Sequence, residues 1–330
     1  MQFAPLGSSG LIVSRLCLGC MSFGTPAWRP WVLDEAAARP FFRRAVELGI
    51  NFFDTADMYS LGVSEEVTGR LLREYARMDE VVIATKVFFE MRSGAPNTGG
   101  LSRKHIIQAC EASLTRLGVD AIDLYQLHRF DASVPLEETL AALDLLVTQG
   151  KVRYLGASTT YAWKLMKALA LADSRGWTRF VSMQNHYNLL YREEEREMVP
   201  LCLDQGIGMI PWSPLARGLL ARGPGSRSTT PRGGTDQLTD QLYDHPTDET
   251  IIAANAAVAA ARGVSPAETG LSWVLSRPGV TAPIVGVTKL EQLESAARAV
   301  DLRLTDDECT KLEAAYSPRP LRGWYEGRRS

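Results

Sequence analysis

Polar side chains that can carry acid–base chemistry stand where predicted strands end. The stretch INFFDTADMY (50–59) begins as an apolar run, reaches Asp54 and then, five residues later, Tyr59. Two further apolar runs end in Lys86 and His128. A carboxylate, a phenol, an ammonium and an imidazole can together hold, donate and accept a proton. These four residues form a candidate site for proton transfer.

Taken one at a time, each of the four residues also has a purely structural explanation. Asp54 could cap a turn, and Lys86 could be its ion-pair partner. His128 could be a hydrogen-bonded core residue, and Tyr59 an aromatic residue at the rim. Because all four occur at the ends of neighbouring strands, where charge is costly unless it is paired, a shared function is favoured.

The strands that must position these residues are short, apolar and regularly spaced. Eight are predicted, at 15–19, 50–54, 81–86, 122–128, 152–158, 180–184, 207–212 and 282–286. Their consecutive apolar positions are typical of parallel strands covered on both faces. Alternation with helices predicts an α/β fold, a single-domain (β/α)₈ TIM barrel with an N-terminal β-hairpin at 1–13. The competing open sheet would normally carry a Gly-rich turn after its first strand, where this chain reads LGCMSFG.

Amphipathic helices are predicted between the strands. One covers 102–117 with Ser102 as its cap, and another covers 135–149 with Pro135 in its first position. Pro40 is expected to interrupt the first helix.

One domain is predicted over 1–330, with two irregular segments. Residues 213–247, after the seventh strand, are rich in Gly, Pro, Ser, Thr and Arg, and a loop of this length is usually functional or disordered. In the tail, 318–330, Trp324 or Tyr325 could close over a pocket, or the tail could be disordered.

Composition excludes several classes of partner. The 330 residues carry 36 basic and 38 acidic side chains, so no field favours nucleic acid or an anionic membrane. No apolar run is long enough to span a bilayer, and no secretory signal is visible. The five cysteines then suit a reducing cytoplasm. Cys17 and Cys20 form a C-x-x-C that we expect to be inert, and no metal site is predicted.

Seven segments carry a resemblance to a known family. They are NFFDTADMYSLGVSEEVTGRLL, VVIATK, DLYQLHRFD, GKVRYLGAS, VSMQNHYNLLYREEEREMVPLC, IPWSPLARGLL and PIVGVTKLEQLESA. With these segments in this order, the chain resembles an aldo-keto reductase over residues 1–318. It is most similar to the bacterial YajO-type branch, which is related to the β-subunits of voltage-gated potassium channels.

The resemblance implies a catalytic tetrad of Asp54, Tyr59, Lys86 and His128. Tyr59 is then the proton donor for carbonyl reduction, and Lys86 is expected to lower its pKa. Asp54 holds Lys86, and His128 orients the carbonyl oxygen.

The resemblance also implies NADPH as the cofactor. Ser158 and Gln184 are expected to bind the carboxamide, and Trp212 to stack on the nicotinamide. Lys289 is expected to favour the adenosine 2′-phosphate. Arg222, Arg227 and Arg232 could fold over the phosphates or remain in solvent. The other expected cofactor contacts are Cys20, Met21, Asp54, Ser213, Pro214, Leu215, Arg217, Gly218, Gly286, Thr288 and Gln292. Thr159 stands where many members have Asn, which changes the expected carboxamide contact.

Aromatic residues near the strand ends predict a pocket for apolar or ring-containing carbonyl compounds. The candidates are Trp28, Trp31, Phe88 and Arg129, the last of which could instead form an outward salt bridge. The resulting hypothesis is NADPH-dependent reduction of an aldehyde or ketone by a monomer or homo-oligomer. The alternatives are an NADPH-binding redox sensor or regulatory subunit with little turnover, and sugar epimerisation.

Overall fold

A computed structural model describes residues 1–225 and 237–321. Eight parallel strands form its centre, in the order β10–β3–β4–β5–β6–β7–β8–β9. The strands are β3 (Cys17–Gly19), β4 (Phe52–Asp54), β5 (Val82–Val87), β6 (Ile122–Leu127), β7 (Val152–Ser158), β8 (Phe180–Gln184), β9 (Gly208–Met209) and β10 (Ile284–Val285). A hydrogen bond of 2.9 Å from the Ile284 N–H in β10 to the Pro211 carbonyl after β9 joins the two strands at the ends of this order. The predicted barrel and all eight of its strands are confirmed.

Helices surround the strands. They are α1 (Glu35–Glu47), α2 (Val63–Tyr75), α3 (Arg103–Leu117), α4 (Leu136–Thr148), α5 (Ala162–Arg175), α6 (Met198–Asp204), α7 (Gln237–Leu242), α8 (Asp248–Arg262), α9 (Pro266–Ser276), α10 (Leu290–Ala299) and α11 (Asp306–Glu313). Asp34, Ser102, Ser265 and Thr305 each accept a hydrogen bond from the backbone N–H three residues later, which begins four of these helices.

Two expectations about proline are wrong. Helix α1 continues through Pro40, because Phe41, Phe42 and Ala45 beyond it are buried and their packing outweighs the missing hydrogen bond. Pro135 precedes α4 and does not occupy its first position, because its ψ of 131° is extended.

The N-terminal hairpin is confirmed, and it closes one end of the barrel. Strand β1 (Phe3–Pro5) pairs antiparallel with β2 (Ile12–Ser14). Leu6 and Val13 share a buried cluster with Cys17 and Phe52, the first residues of β3 and β4. Gly7 has a φ of +60°, and a Cβ there would lie 2.4 Å from the Gly206 carbonyl oxygen. The hairpin therefore covers the N-terminal end and leaves the carboxyl ends of the strands for the site.

The long segment after β9 is partly helical. A 3-10 turn covers Ala216–Ala221, and α7 begins at Gln237, where the second described range starts. Arg227 and Arg232 lie outside the described residues, as do Trp324 and Tyr325 in the tail. Across 1–225 and 237–321, no helix combines the length and apolar character needed to cross a membrane.

Candidate active site

Lys86 lies at the centre of the candidate site, near the end of β5, and is fully buried. Its ammonium donates to Asp54 Oδ2 at 2.6 Å, to the Thr55 carbonyl at 2.8 Å and to the Tyr59 hydroxyl at 3.3 Å. All three of its hydrogens are therefore used. Burial opposes the charge, but Asp54 and Tyr59 raise the pKa of Lys86 above its ordinary value, so the side chain stays cationic at neutral pH.

Two glutamine side chains hold the other oxygen of Asp54. Its Oδ1 accepts from Gln126 Nε2 at 2.9 Å and from Gln184 Nε2 at 3.1 Å. The strand registers place Lys86 opposite Gln126, and Gln126 opposite Gly156. A Cβ on Gly156 would lie 2.8 Å from Gln126 Cγ, so glycine leaves room for this contact. The buried carboxylate is thus surrounded by donors, as a buried charge requires.

Tyr59 reaches the same cation from the turn after β4. Ser60, Leu61 and Gly62 have φ values of 51°, 52° and 97°, which reverse the chain before α2. Burial raises the pKa of Tyr59, Lys86 acts to lower it, and Asp54 raises it again. The net pKa lies above its ordinary value, because burial outweighs the lowering by Lys86. The phenol is protonated at neutral pH.

His128 follows β6 and faces Tyr59. The two rings meet edge to face with centroids 5.8 Å apart. Burial, with the charges of Lys86 and Arg129, lowers the pKa of His128 well below its ordinary value, so the imidazole is neutral. Its Nδ1 is buried and meets no hydrogen-bond partner among the residues described. The structure therefore brings Asp54, Tyr59, Lys86 and His128 together at one end of the barrel.

A flat aromatic surface lies beside this group. The Trp212 ring stacks on His186 with centroids 4.3 Å apart and an interplanar angle of 12°. The Trp212 indole Nε1 donates to Thr159 Oγ1 at 3.1 Å, and Ser158 Oγ lies 3.2 Å from that oxygen. Trp212 itself is partly exposed.

Similarity to known proteins agrees with this geometry. The model of the aldo/keto reductase family matches residues 15–317. The chain belongs to the aldo/keto reductase family. It is 42% identical over 341 residues to a versiconal hemiacetal acetate reductase of Aspergillus parasiticus, covering 97% of this chain and 98% of the relative. It is also 42% identical over 344 residues to a provisionally assigned aryl-alcohol dehydrogenase of Schizosaccharomyces pombe, covering 97% of each. These relatives are fungal, and they give no specific support to a bacterial YajO-type branch.

Members of this family are oxidoreductases that use a nicotinamide dinucleotide, and the segment after Trp212 fits such a group. Ser213, Ala216, Arg217 and Gly218 have positive φ values of 51°, 48°, 56° and 94°. Leu215, with φ −103° and ψ 23°, is followed by three left-handed residues. A change from right-handed to left-handed backbone turns successive N–H groups inward, which suits an anion. Pro214 and Leu215 belong to the same turn, and Arg217 donates to Thr239 Oγ1 at 3.2 Å.

Two further groups of expected cofactor residues lie at neighbouring strand ends. After β10, Gly286, Thr288, Lys289 and Gln292 are all exposed. Gln292 Oε1 accepts from the backbone N–H groups of Thr288 and Lys289 at 2.9 and 3.2 Å, which fixes the start of α10. After β3, Cys20 is buried while Met21 is partly exposed. The contacts of these residues with a cofactor stay predictions.

The expected substrate residues divide into two sets. Trp28 faces the site, with its ring 6.3 Å from that of Tyr59. Phe89 also faces it, 4.9 Å from the His128 ring, whereas Phe88 packs against the core. These adjacent residues point in different directions, and which of them contacts a substrate stays a prediction. Trp31 is nearly buried.

The Arg129 side chain contacts residues beside it at the end of β6. Its Nη1 donates to the His128 carbonyl at 2.6 Å, and its guanidinium lies 5.7 Å from the Phe89 ring centroid.

Cys17 and Cys20 are free and buried, as expected. Burial raises the pKa of Cys17 well above its ordinary value and that of Cys20 to about 12, so both are unreactive thiols. No group of side chains suited to a metal ion occurs in the described parts of the chain.

Sequence reasoning missed Gln126 and His186. Gln126 lies on β6, two residues before His128, so the inward alternation of this strand was the available signal. The only signal for His186 in the sequence was its position two residues after Gln184.

Proposed function

We propose that this reductase converts an aldehyde or ketone to the alcohol with NADPH, and that Tyr59 donates the proton. The observation that carries the proposal is the shared ammonium of Lys86, which bonds to Asp54 and Tyr59 in a buried site next to His128. When bound, the cofactor supplies the hydride. The side chains of this chain must then supply the proton and orient the carbonyl oxygen.

Tyr59 is suited to donation because it is protonated at neutral pH. After its proton leaves, a phenolate remains 3.3 Å from a cation. Lys86 already points its third hydrogen at that oxygen, so the charge is stabilised without rearrangement. The neutral His128 can donate one hydrogen bond to a carbonyl oxygen placed between the two rings. General acid catalysis of this kind contributes about 10²- to 10⁴-fold in rate.

Gln184 and Ser158 are proposed to hold the carboxamide. Both hydrogens of Gln184 Nε2 are used, by Asp54 Oδ1 and by Gln126 Oε1 at 3.0 Å. The Gln184 Oε1 then remains to accept from an amide N–H. Ser158 supplies a hydroxyl at the end of the neighbouring strand.

NADPH is proposed in preference to NADH because of Lys289. This exposed cation lies directly before α10, whose N-terminal backbone favours an anion. A 2′-phosphate there would be stabilised by both charge and backbone, whereas a 2′-hydroxyl gains much less.

Aromatic aldehydes are the proposed substrate class. Trp28 and Phe89 flank the tetrad with apolar ring surface, and a relative bears the name of an aryl-alcohol dehydrogenase. We place the activity in a reducing cytoplasm, since all five cysteines are free.

The test is NADPH consumption with a panel of aromatic, aliphatic and sugar-derived carbonyls, with the alcohol product identified. Tyr59→Phe is the test variant. Tyr154→Phe is its control, because Tyr154 packs at the opposite end of the barrel. Turnover by wild type and the control but not by Tyr59→Phe supports the proposal. Binding of NADPH without turnover of any carbonyl contradicts it and favours a redox sensor or regulatory subunit. Sugar turnover without net NADPH consumption indicates epimerisation.

A further inference from the structure

Two contacts hold the Trp212 ring. One face of its ring lies on His186, nearly parallel at 12°. Its only polar atom, Nε1, donates to Thr159 Oγ1 at 3.1 Å. A ring held on one face and at one edge is restrained from tilting, and Trp212 is partly exposed.

His186 is itself the middle ring of a stack. Its other face lies on Tyr191, with centroids 4.2 Å apart and an angle of 13°. Its Nε2 lies 2.6 Å from the hydroxyl of Tyr243, and the imidazole is 3% exposed. Asn188 donates to the same Tyr243 hydroxyl at 3.0 Å. Because His186 is packed on both faces and bonded at its edge, it gives Trp212 a rigid base.

Thr159 reaches Trp212 only because its backbone is unusual. It has a φ of +41°, a conformation that β-branched residues rarely adopt. Such strain persists where the surrounding structure requires it, and it clusters at ligand sites. The conformation places Oγ1 between Trp212 Nε1 and Ser158 Oγ, which lies 3.2 Å away. The indole can only donate, so Thr159 must accept from it.

We propose that Thr159 and His186 are positioning residues that fix the Trp212 ring as the platform for the nicotinamide. This inference rests on the proposed function, because the platform has a role only if a nicotinamide binds. Thr159 then acts through Trp212, and the carboxamide is left to Ser158 and Gln184. This arrangement accounts for threonine at a position where asparagine was the expected carboxamide ligand.

The test exploits two adjacent threonines. Thr159→Val keeps the shape and the β-branch but removes the acceptor, whereas Thr159→Ser keeps the acceptor. Thr160→Val is the matched control, because the Thr160 hydroxyl is buried and meets no hydrogen-bond partner among the residues described. Affinity is measured for NADPH and for 2′,5′-ADP, which lacks the nicotinamide. The rate of hydride transfer in a single turnover is measured as well.

Thr159→Val is expected to bind NADPH about fivefold more weakly, the effect of one neutral hydrogen bond. Its affinity for 2′,5′-ADP should equal that of wild type, and its hydride transfer should be slower. Thr159→Ser and Thr160→Val should match wild type in all three measurements. A general folding defect would weaken both ligands alike, so the contrast between them reports on the platform.

If Thr159→Val does not fold, a second pair of variants tests the same inference. His186→Phe keeps a flat ring under Trp212, whereas His186→Leu removes it, so only the leucine variant should weaken NADPH selectively. The inference is overturned if Thr159→Val and His186→Leu bind both ligands like wild type, or if they lose both equally. If wild type reduces carbonyls with NADPH while these variants are unaffected, only this inference fails. If wild type does not bind NADPH, the proposed function fails with it.

Discussion

Replacing Lys86 with methionine removes a cation from a buried site. The side chains of Lys86 and Asp54 are 0% and 3% exposed. The substitution keeps an unbranched side chain, one atom shorter, but deletes three hydrogen bonds, of 2.6, 2.8 and 3.3 Å. Asp54 Oδ2 and the Thr55 carbonyl each lose the donor that Lys86 provides.

The expected loss in the free energy of unfolding follows from what remains. Removing one partner of a buried pair costs about 3–5 kcal/mol, because the other charge is left buried. Asp54 keeps the amide donors of Gln126 and Gln184 on Oδ1. We therefore expect the lower end of that range, about 3 kcal/mol, for Lys86→Met. This corresponds to a change of about 10²-fold in the folding equilibrium constant.

The assay is equilibrium unfolding in urea at pH 7 for Lys86→Met, Asp54→Asn and the double variant. Asp54→Asn alone leaves Lys86 buried without its carboxylate. The double variant contains neither charge, so it should be more stable than the sum of the single losses predicts. A coupling free energy of about 2 kcal/mol is expected between residues in such direct contact. Losses that add to within about 0.5 kcal/mol would refute the reasoning, since independent sites behave in that way.

Other predictions concern the cofactor, pH and the C-terminal segment. Lys289→Met should weaken NADPH binding by about 10-fold or more and leave NADH binding unchanged, since one charged hydrogen bond is lost; titration with both cofactors checks this. Burial raises the pKa of Glu194 from 4.5 to about 8. Between these two pH values the carboxyl is protonated in the folded protein and ionised in the unfolded chain, so unfolding releases a proton; below pH 4.5 it is protonated in both states. Stability should then fall with rising pH by up to about 1.4 kcal/mol per unit, and Glu194→Gln should flatten the slope in urea titrations. Arg319 pairs with Asp248 at 2.7 Å, almost fully buried, so Arg319→Met should cost about 3 kcal/mol. Lys151→Met, at an exposed pair, should cost under about 1 kcal/mol by the same measurement.

The barrel and the positions of the tetrad could be predicted because both follow from local patterns. Apolar runs predicted the eight strands, and the polar residues that ended five of these runs marked the open end of the barrel. The strands are shorter in the structure than predicted, and β9 and β10 each contain two residues. The predicted apolar runs extend beyond the paired residues because Ile207, Ile210 and Ala282 are buried without belonging to a regular strand.

Contacts between side chains from distant strands could not be predicted. Gln126 bonds to Asp54 because Gly156, on the next strand, leaves space for it. His186 supports Trp212 because two loops after different strands meet in parallel. Neither relation leaves a periodic signal in the sequence.

The net pKa of Tyr59 could not be predicted for a related reason. The cation beside it could be inferred from the order of strands, but the depth of burial could not. Burial is the larger of the two effects, and it reverses the direction expected from Lys86 alone.

The central claim is that Tyr59 donates the proton, and stopped-flow measurement of hydride transfer tests it most directly. Enzyme saturated with NADPH is mixed with an aromatic aldehyde, so that chemistry is separated from cofactor binding. We expect Tyr59→Phe to bind NADPH as wild type does and to transfer hydride at least about 10²-fold more slowly. Transfer at the wild-type rate, or a loss that lies entirely in NADPH affinity, would contradict the account.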